Sequence, residues 1–395
     1  MSSIKILQSE NMKNVVILGG GIGGVTAATL MSKRLGERAE ITLLDKEDMH
    51  HFQPSYPWLM MGWRSPDQVL RPLSNLKARN VRISHDEVVA IEPEERRVKT
   101  KAGSQSYDYL LVALGSQLNP HSIEGLADAA HHPYDLESTV LLGKAIEKFR
   151  GGRIAIGVSR LPFKCPAAPY EAAFLMDCLF RKKGIREKVD MEFFTPEPWP
   201  APAAGEAIGR AIEGMMRKRG IELHTKREMQ HVDPASKVVH FKGGSQMDYD
   251  LLIAVPPHTT CDAVRTSAFA KDGPWIPVDK HTMRTSYDDV YAVGDVTKIP
   301  TPKGHVPALP KAGVFAEGQA KTAAKNIVSE IVGGEAERWD GYGICFLETG
   351  YGKGGMVRGN FYGEGAPEVR MWRPGRLWHW GKVLFERRWL GKLFR

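Results

Sequence analysis

The chain has 395 residues, 42% of them hydrophobic and 25% charged. That length suits two or three domains, and that balance excludes wholesale disorder. A net charge of +8 leaves nucleic acid, an anionic membrane and an anionic substrate open as partners, while four cysteines without a CxxC pair exclude a zinc ribbon and a disulfide-dense scaffold.

Met1–Asn14 is polar and lacks the apolar stretch of an export signal. No run of about 18 apolar residues is present, so no transmembrane helix is expected. Val15–Leu18 reads as a strand feeding the cluster Gly19-Gly20-Gly21-Ile22-Gly23-Gly24. A helical pattern covers Val25–Leu35, and a second apolar run, Ile41–Leu44, ends in Asp45. An irregular stretch rich in aromatics and prolines follows, from His50 to Trp63. Strand patterns resume at Glu87–Ile91, Arg97–Thr100 and Tyr109–Ala113, the last closed by Leu114-Gly115-Ser116.

A second unit opens with a strand at Arg153–Val158. Helices are predicted at Pro169–Phe180 and Gly205–Arg219, and strands at Met191–Thr195, Ile221–His224, Val238–Phe241 and Leu251–Val255. Val290–Val293 is a further strand, and Ala312–Ile331 an amphipathic helix. From Tyr342 the chain is rich in glycine, then in tryptophan and arginine. This alternation predicts an α/β fold of two Rossmann-like, doubly wound, three-layer units. Residues 1–150 and 277–340 make the first unit, 151–276 the second, and 341–395 a C-terminal region.

Gly19, Gly21 and Gly24 make a GxGxxG between strand and helix. The first glycine allows the tight turn, the second lets backbone approach a pyrophosphate, and the third lets helix pack on strand. The helix N-terminus favours the phosphate charge. Asp45, at the end of the next strand, is placed to bind ribose hydroxyls. The matching stretch of the second unit, Ile154 to Cys165, keeps one glycine, Gly157, among bulky residues. A pyrophosphate could not approach that backbone, so NAD(P)H is not the expected electron donor.

Leu111-Val112-Ala113-Leu114-Gly115 and Tyr291-Ala292-Val293-Gly294-Asp295 resemble the two later FAD motifs of disulfide-reductase-like flavoproteins. The resemblance implies FAD, with Ala113 and Gly115 beside it, and Gly294 and Asp295 at its ribityl chain. Pro162-Phe163-Lys164-Cys165-Pro166, running on to Phe174, and Gly343-Ile344-Cys345-Phe346-Leu347-Glu348-Thr349-Gly350 resemble the two redox-cysteine segments of sulfide:quinone oxidoreductases. His51-Phe52-Gln53-Pro54 with Trp58 and Gly62, and Pro256-Pro257-His258, match as well.

That resemblance implies a Cys165/Cys345 redox pair on one face of the flavin, Pro54 at the cofactor, and Glu171 as acid/base group. On the residues alone, Glu171 is equally a carboxylate stabilised at a helix start. Hydrosulfide attack on a disulfide forms a persulfide, and Lys164 is expected to lower a thiol pKa. Cys178 and Cys261 read as packing residues. Many relatives carry a third cysteine before the first redox cysteine; Gln117–Phe163 has none, so the FAD is expected to be non-covalent. His131 and His132 read as surface or turn residues. Thr195-Pro196-Glu197-Pro198-Trp199 matches a family segment but lacks the histidine that follows in some relatives, leaving proton handling open.

From Trp372 to Arg395 tryptophans and phenylalanines alternate with Arg and Lys. Val383, Leu384, Trp389, Leu390, Leu393 and Phe394 recur at helical spacing, as in a helix lying in a lipid headgroup layer. Nucleic acid is not expected. Trp380-Gly381-Lys382-Val383-Leu384-Phe385-Glu386 resembles the family's quinone segment. The resemblance implies Lys382 at a quinone carbonyl, with Phe385 and Phe346 packing on the ring. The expected partners are sulfide, a membrane quinone and a lipid bilayer surface, with peripheral placement on the cell membrane; a homo-oligomer is compatible. No metal is expected. The competing readings are the flavoprotein subunit of a flavocytochrome c sulfide dehydrogenase and a type II NADH:quinone oxidoreductase.

Overall fold

A computed structural model describes residues 12–301, 308–363 and 367–395. The first eleven residues, part of the segment read as lacking an export signal, lie outside it. In chain order the principal elements begin with β1 (Lys13–Leu18), α1 (Ile22–Leu35), β2 (Ala39–Asp45), β3 (Val81–His85) and β4 (Tyr109–Val112). The second unit contributes β5 (Gly152–Val158), α2 (Ala168–Lys182), β6 (Val189–Phe194), α3 (Glu206–Arg217), β7 (Ile221–His224) and β8 (Leu251–Val255). Then come β9 (Val290–Ala292), α4 (Gly313–Val332), β10 (Tyr342–Gly350), β11 (Lys353–Asn360), β12 (Glu368–Gly375) and α5 (Arg376–Leu393).

The first sheet runs β9-β4-β1-β2-β3, all parallel. Strand β1 sits at its centre, and Val15, Val16, Ile17 and Leu18 are wholly buried, as a strand covered on both faces requires. Helices α1 and α4 pack together on one face. The second sheet runs from the short strand Ala130–His131 through β8, β5 and β6 to β7, again all parallel. The mouths of both sheets, where dinucleotides bind in such folds, lie at the carboxyl ends of the strands.

The glycine-rich stretch after residue 341 forms a three-stranded antiparallel sheet, β10-β11-β12. At Gly359, in the left-handed region at φ 158°, an added Cβ would lie 2.0 Å from Glu368 O, so only glycine lets β11 and β12 approach. Strand β10 packs on α2, and α5 packs back on β11. This carries the chain's last elements to the start of α2.

Among the described residues no helix is long and apolar enough to cross a membrane. The expected tail stripe needs correction. Trp372, where the basic aromatic tail begins, lies in β12. Val383, Trp389, Leu390, Leu393 and Phe394 are buried, and Trp389 and Phe394 each stack on the His50 ring at 5.1 Å. Their spacing marks a core face. Leu384 alone of that set points outward, beside Leu377 and Trp380, which are 70% and 62% exposed.

Candidate active site

A cavity of about 690 Å³ opens at the carboxyl end of the first sheet. Gly19, Gly21, Asp45, Pro54, Ala113, Gly115, Gly294 and Asp295 line it, and it ends against Lys164 and Cys165. The glycines divide their work. Gly19 holds φ 101°, and a Cβ there would lie 2.3 Å from Ala113 O. Gly24 sits behind the cavity, where a Cβ would meet Gly19 O at 1.8 Å. Gly21 faces open space, as close approach of a pyrophosphate needs. Asp45 Oδ2 accepts from Gly20 N at 2.5 Å, which ties the loop to β2. This cradle fits a dinucleotide.

At the deep end, burial raises the Asp295 carboxyl above its ordinary range, opposed by Lys164 and Lys311. Lys311, which the sequence reading passed over, donates to Asp295 O at 2.6 Å and Thr297 O at 3.0 Å. Its ammonium also lies 3.5 Å from the Trp275 ring centroid, and burial lowers its pKa to about 8. A lysine inside the small-residue run Pro310-Lys311-Ala312-Gly313 is the signal that could have flagged it.

Cys165 holds φ 52°, a left-handed conformation that costs a non-glycine residue energy and must be imposed by its surroundings. Its N–H donates to Lys311 O at 2.7 Å, and its carbonyl accepts from Ala168 N at 3.0 Å, at the start of α2. Cys345 comes from β10. Each thiol is free and partly buried. Burial pushes Cys165 up to about 12, with the charges of Cys345 and Glu171 adding to it. Burial and Glu171 push Cys345 up to about 11. The expected lowering by Lys164 is therefore corrected. Desolvation of the sulfur dominates, the cation acting on both thiols is Lys382, and the strongest charge partner of Lys164 is Asp295.

Glu171 stands in the first turn of α2 and is 2% exposed. Its Oε1 accepts from Lys382 Nζ at 2.8 Å and from Glu348 N at 2.7 Å. Burial raises the Glu171 carboxyl despite Lys382. Burial opposes the charge on Lys382, but Glu171 and Glu348 outweigh it and hold the ammonium above its usual range. Phe346 follows Cys345, and its ring centroid lies 6.4 Å from that of Phe385. The fold thus brings Cys165, on the loop before α2 at the cavity wall, together with Glu171 of α2, Cys345 and Phe346 of β10, and Lys382 and Phe385 of α5. Glu348 and its partner His379 were not singled out from sequence. A glutamate inside the apolar strand Phe346-Leu347-Glu348 was the available signal.

Cys178 is fully buried and accepts from Tyr351 N at 3.2 Å. Cys261 borders the cavity. Of the two histidines read as surface or turn residues, His132 is buried at 8% exposed, while His131 is half-buried in the edge strand of the second sheet, paired with Ile253. Gly157, the one glycine of the second loop, serves strand packing, since a Cβ there would lie 2.1 Å from Phe194 O.

The sequence profile of the family described as pyridine nucleotide-disulphide oxidoreductase matches residues 13–156 and 175–319. A mitochondrial sulfide:quinone oxidoreductase of Mus musculus is 28% identical over 363 residues, covering 87% of this chain and 77% of that protein. A type II NADH:quinone oxidoreductase of Staphylococcus aureus is 26% identical over 378 residues, covering 89% and 91%. The crystal structure of the sulfide:quinone oxidoreductase from Aquifex aeolicus superposes with a TM-score of 0.88 at 26% identity, covering 96% of this chain and 91% of that one. With the cradle, the two parallel sheets and the family match in hand, the chain belongs to the pyridine nucleotide-disulphide oxidoreductases and is an FAD-dependent oxidoreductase of this family.

Proposed function

We propose that the enzyme oxidises sulfide at Cys165 and Cys345 and reduces a membrane quinone beside Lys382. The observation that carries this reading is that Cys165, which lines the dinucleotide cavity, leads directly into α2 with Glu171 in its first turn, while Cys345 lies on β10 three residues before Glu348, and Glu171 Oε1 binds both Glu348 N and Lys382 Nζ. Hydrosulfide opens the disulfide of the oxidised pair: a new S–S bond forms on one cysteine, and the other sulfur leaves as a thiolate. Lys382 steadies that thiolate, and Glu171 is the nearby base for the persulfide proton. Gly19, Gly21, Asp45, Pro54, Ala113, Gly115, Gly294 and Asp295 hold FAD without a covalent bond. FAD, when bound, supplies the two-electron link between the cysteine pair and the quinone.

Lys382 has three N–H donors and spends one on Glu171, which leaves donors for a quinone carbonyl. Phe346 and Phe385 offer apolar faces for the ring. The exposed face of α5 carries Leu377, Trp380 and Leu384 among Arg376, Arg387 and Arg388, a composition suited to the headgroup layer of the cell membrane. That face would dock the enzyme peripherally and bring the quinone site to lipid-dissolved substrate.

The test is anaerobic stopped-flow absorbance of the purified flavoprotein, mixed with sulfide and then with a short-chain quinone. Sulfide should bleach the flavin and quinone restore it, while Cys165→Ser and Cys345→Ser each slow bleaching by roughly 100-fold or more. Unchanged bleaching in both variants would remove the cysteines from the reaction.

A further inference from the structure

Reducing a quinone takes two electrons and two protons. Oxidising hydrosulfide to the level of elemental sulfur releases two electrons and one proton. Each turnover therefore draws one further proton from water, and it must reach Lys382 and Glu171, which are 6% and 2% exposed. A second pair of groups lies beside them. Glu348, 1% exposed, joins its backbone N–H to Glu171 Oε1 at 2.7 Å, and its carboxylate adds to the charge that keeps Lys382 protonated. His379 Nδ1 lies 2.9 Å from Glu348 Oε2 and 3.1 Å from Oε1. The His379 side chain is 19% exposed. Its neighbour Trp380 stands out from the first turns of α5, with ring centroids 5.9 Å apart.

Exposure thus rises stepwise from Glu348 to His379 to the outer face of α5. Among the described residues the imidazole's hydrogen-bond partner is Glu348 alone. Its other ring contact is the edge of Trp58 at 5.9 Å, whose face carries the cations of Arg64 and Lys382 at 4.6 and 4.9 Å. Arg64 is in turn held by Glu386 at 2.7 Å. A purely structural histidine would not require a buried carboxylate that also acts on the active-site lysine.

We propose that Glu348 and His379 form the proton entry for quinone reduction: Lys382 gives its proton to the reduced quinone, and Glu348, recharged through His379, restores it. Both are positioning residues that act through Lys382. This inference rests on quinone being reduced beside Lys382.

The test separates the two half-reactions in His379→Gln and Glu348→Gln enzymes with thermal melting as a check on folding. The expected result is quinone-driven reoxidation slowed roughly 100-fold in both, with sulfide-driven bleaching kept within about twofold in His379→Gln; Glu348→Gln, whose charge acts on Lys382, slows bleaching as well but far less than reoxidation. Added imidazole should restore reoxidation in His379→Ala, and the pH profile of reoxidation should differ between the wild type and His379→Gln. A wild-type enzyme that turns over while His379→Gln keeps its reoxidation rate and pH profile overturns the relay alone. Equal slowing of both half-reactions without imidazole rescue assigns His379 a structural role and also overturns it. A wild-type flavin that quinone fails to reoxidise overturns the parent reading, and the relay falls with it.

Discussion

Cys165 shows how the fold reverses a simple sequence argument. A lysine next in sequence suggested an activated thiol, yet the buried surroundings matter more. Which charges face a sulfur depends on contacts far apart in the chain, here Glu171 and Lys382, and adjacency carries little of that information. The consequence is measurable. With pKa values pushed up to about 12 and about 11, the reduced cysteines are almost entirely protonated at neutrality. Higher basicity makes the residual thiolate a better nucleophile and recovers part of the loss. The net expectation is alkylation by iodoacetamide roughly 20- to 100-fold slower than for an ordinary thiol near pH 7.5. The rate should climb past pH 9 instead of levelling off, as followed by peptide mass spectrometry on anaerobically reduced enzyme. A plateau below pH 9 would mean that the resting cysteines are activated after all.

Elements differ in how much of them the sequence disclosed. The strands of the parallel sheets were legible because burial on both faces demands continuous apolar runs such as Val15–Leu18 and Leu251–Val255. Strands β10 to β12 were not, since the glycines that let the strands approach also erase the apolar alternation. Helix α5 was legible as a helix but not as a two-faced one. Helical spacing identified a stripe, and the sequence did not say that β11 and the His50 ring would cover it. The proposed membrane docking uses the opposite, exposed face. Leu384 is 52% exposed, so Leu384→Asp should leave thermal stability within about 0.5 kcal/mol. Binding to anionic vesicles should weaken about tenfold or more, the effect of losing one buried leucine. Co-sedimentation measures it. Retained binding in Leu384→Asp combined with Trp380→Ser would place the docking surface elsewhere.

At the scale of the whole molecule, the two Rossmann-like units have unequal tasks. The first keeps all the glycines of a dinucleotide cradle, and its cavity ends on a redox-capable residue. The second retains the sheet but not the loop: Gly157 is there for Phe194, and Ser159 is buried, its hydroxyl donating to Val255 O at 2.6 Å. The loop that would receive a pyrophosphate instead runs through Arg160, Leu161, Pro162 and Phe163 to present Cys165. With Arg160, Leu161, Pro162 and Phe163 in place of glycines, this segment offers no close backbone approach for a pyrophosphate, and the expectation is that NADH is not the electron donor. Millimolar NADH or NADPH should accordingly leave the flavin oxidised over minutes under anaerobic conditions, while sulfide bleaches it within the same period. Bleaching by NADH but not by sulfide would show that the second unit binds nucleotide despite its loop, and would shift the assignment to NADH:quinone chemistry, with Cys165 and Cys345 reduced to packing residues.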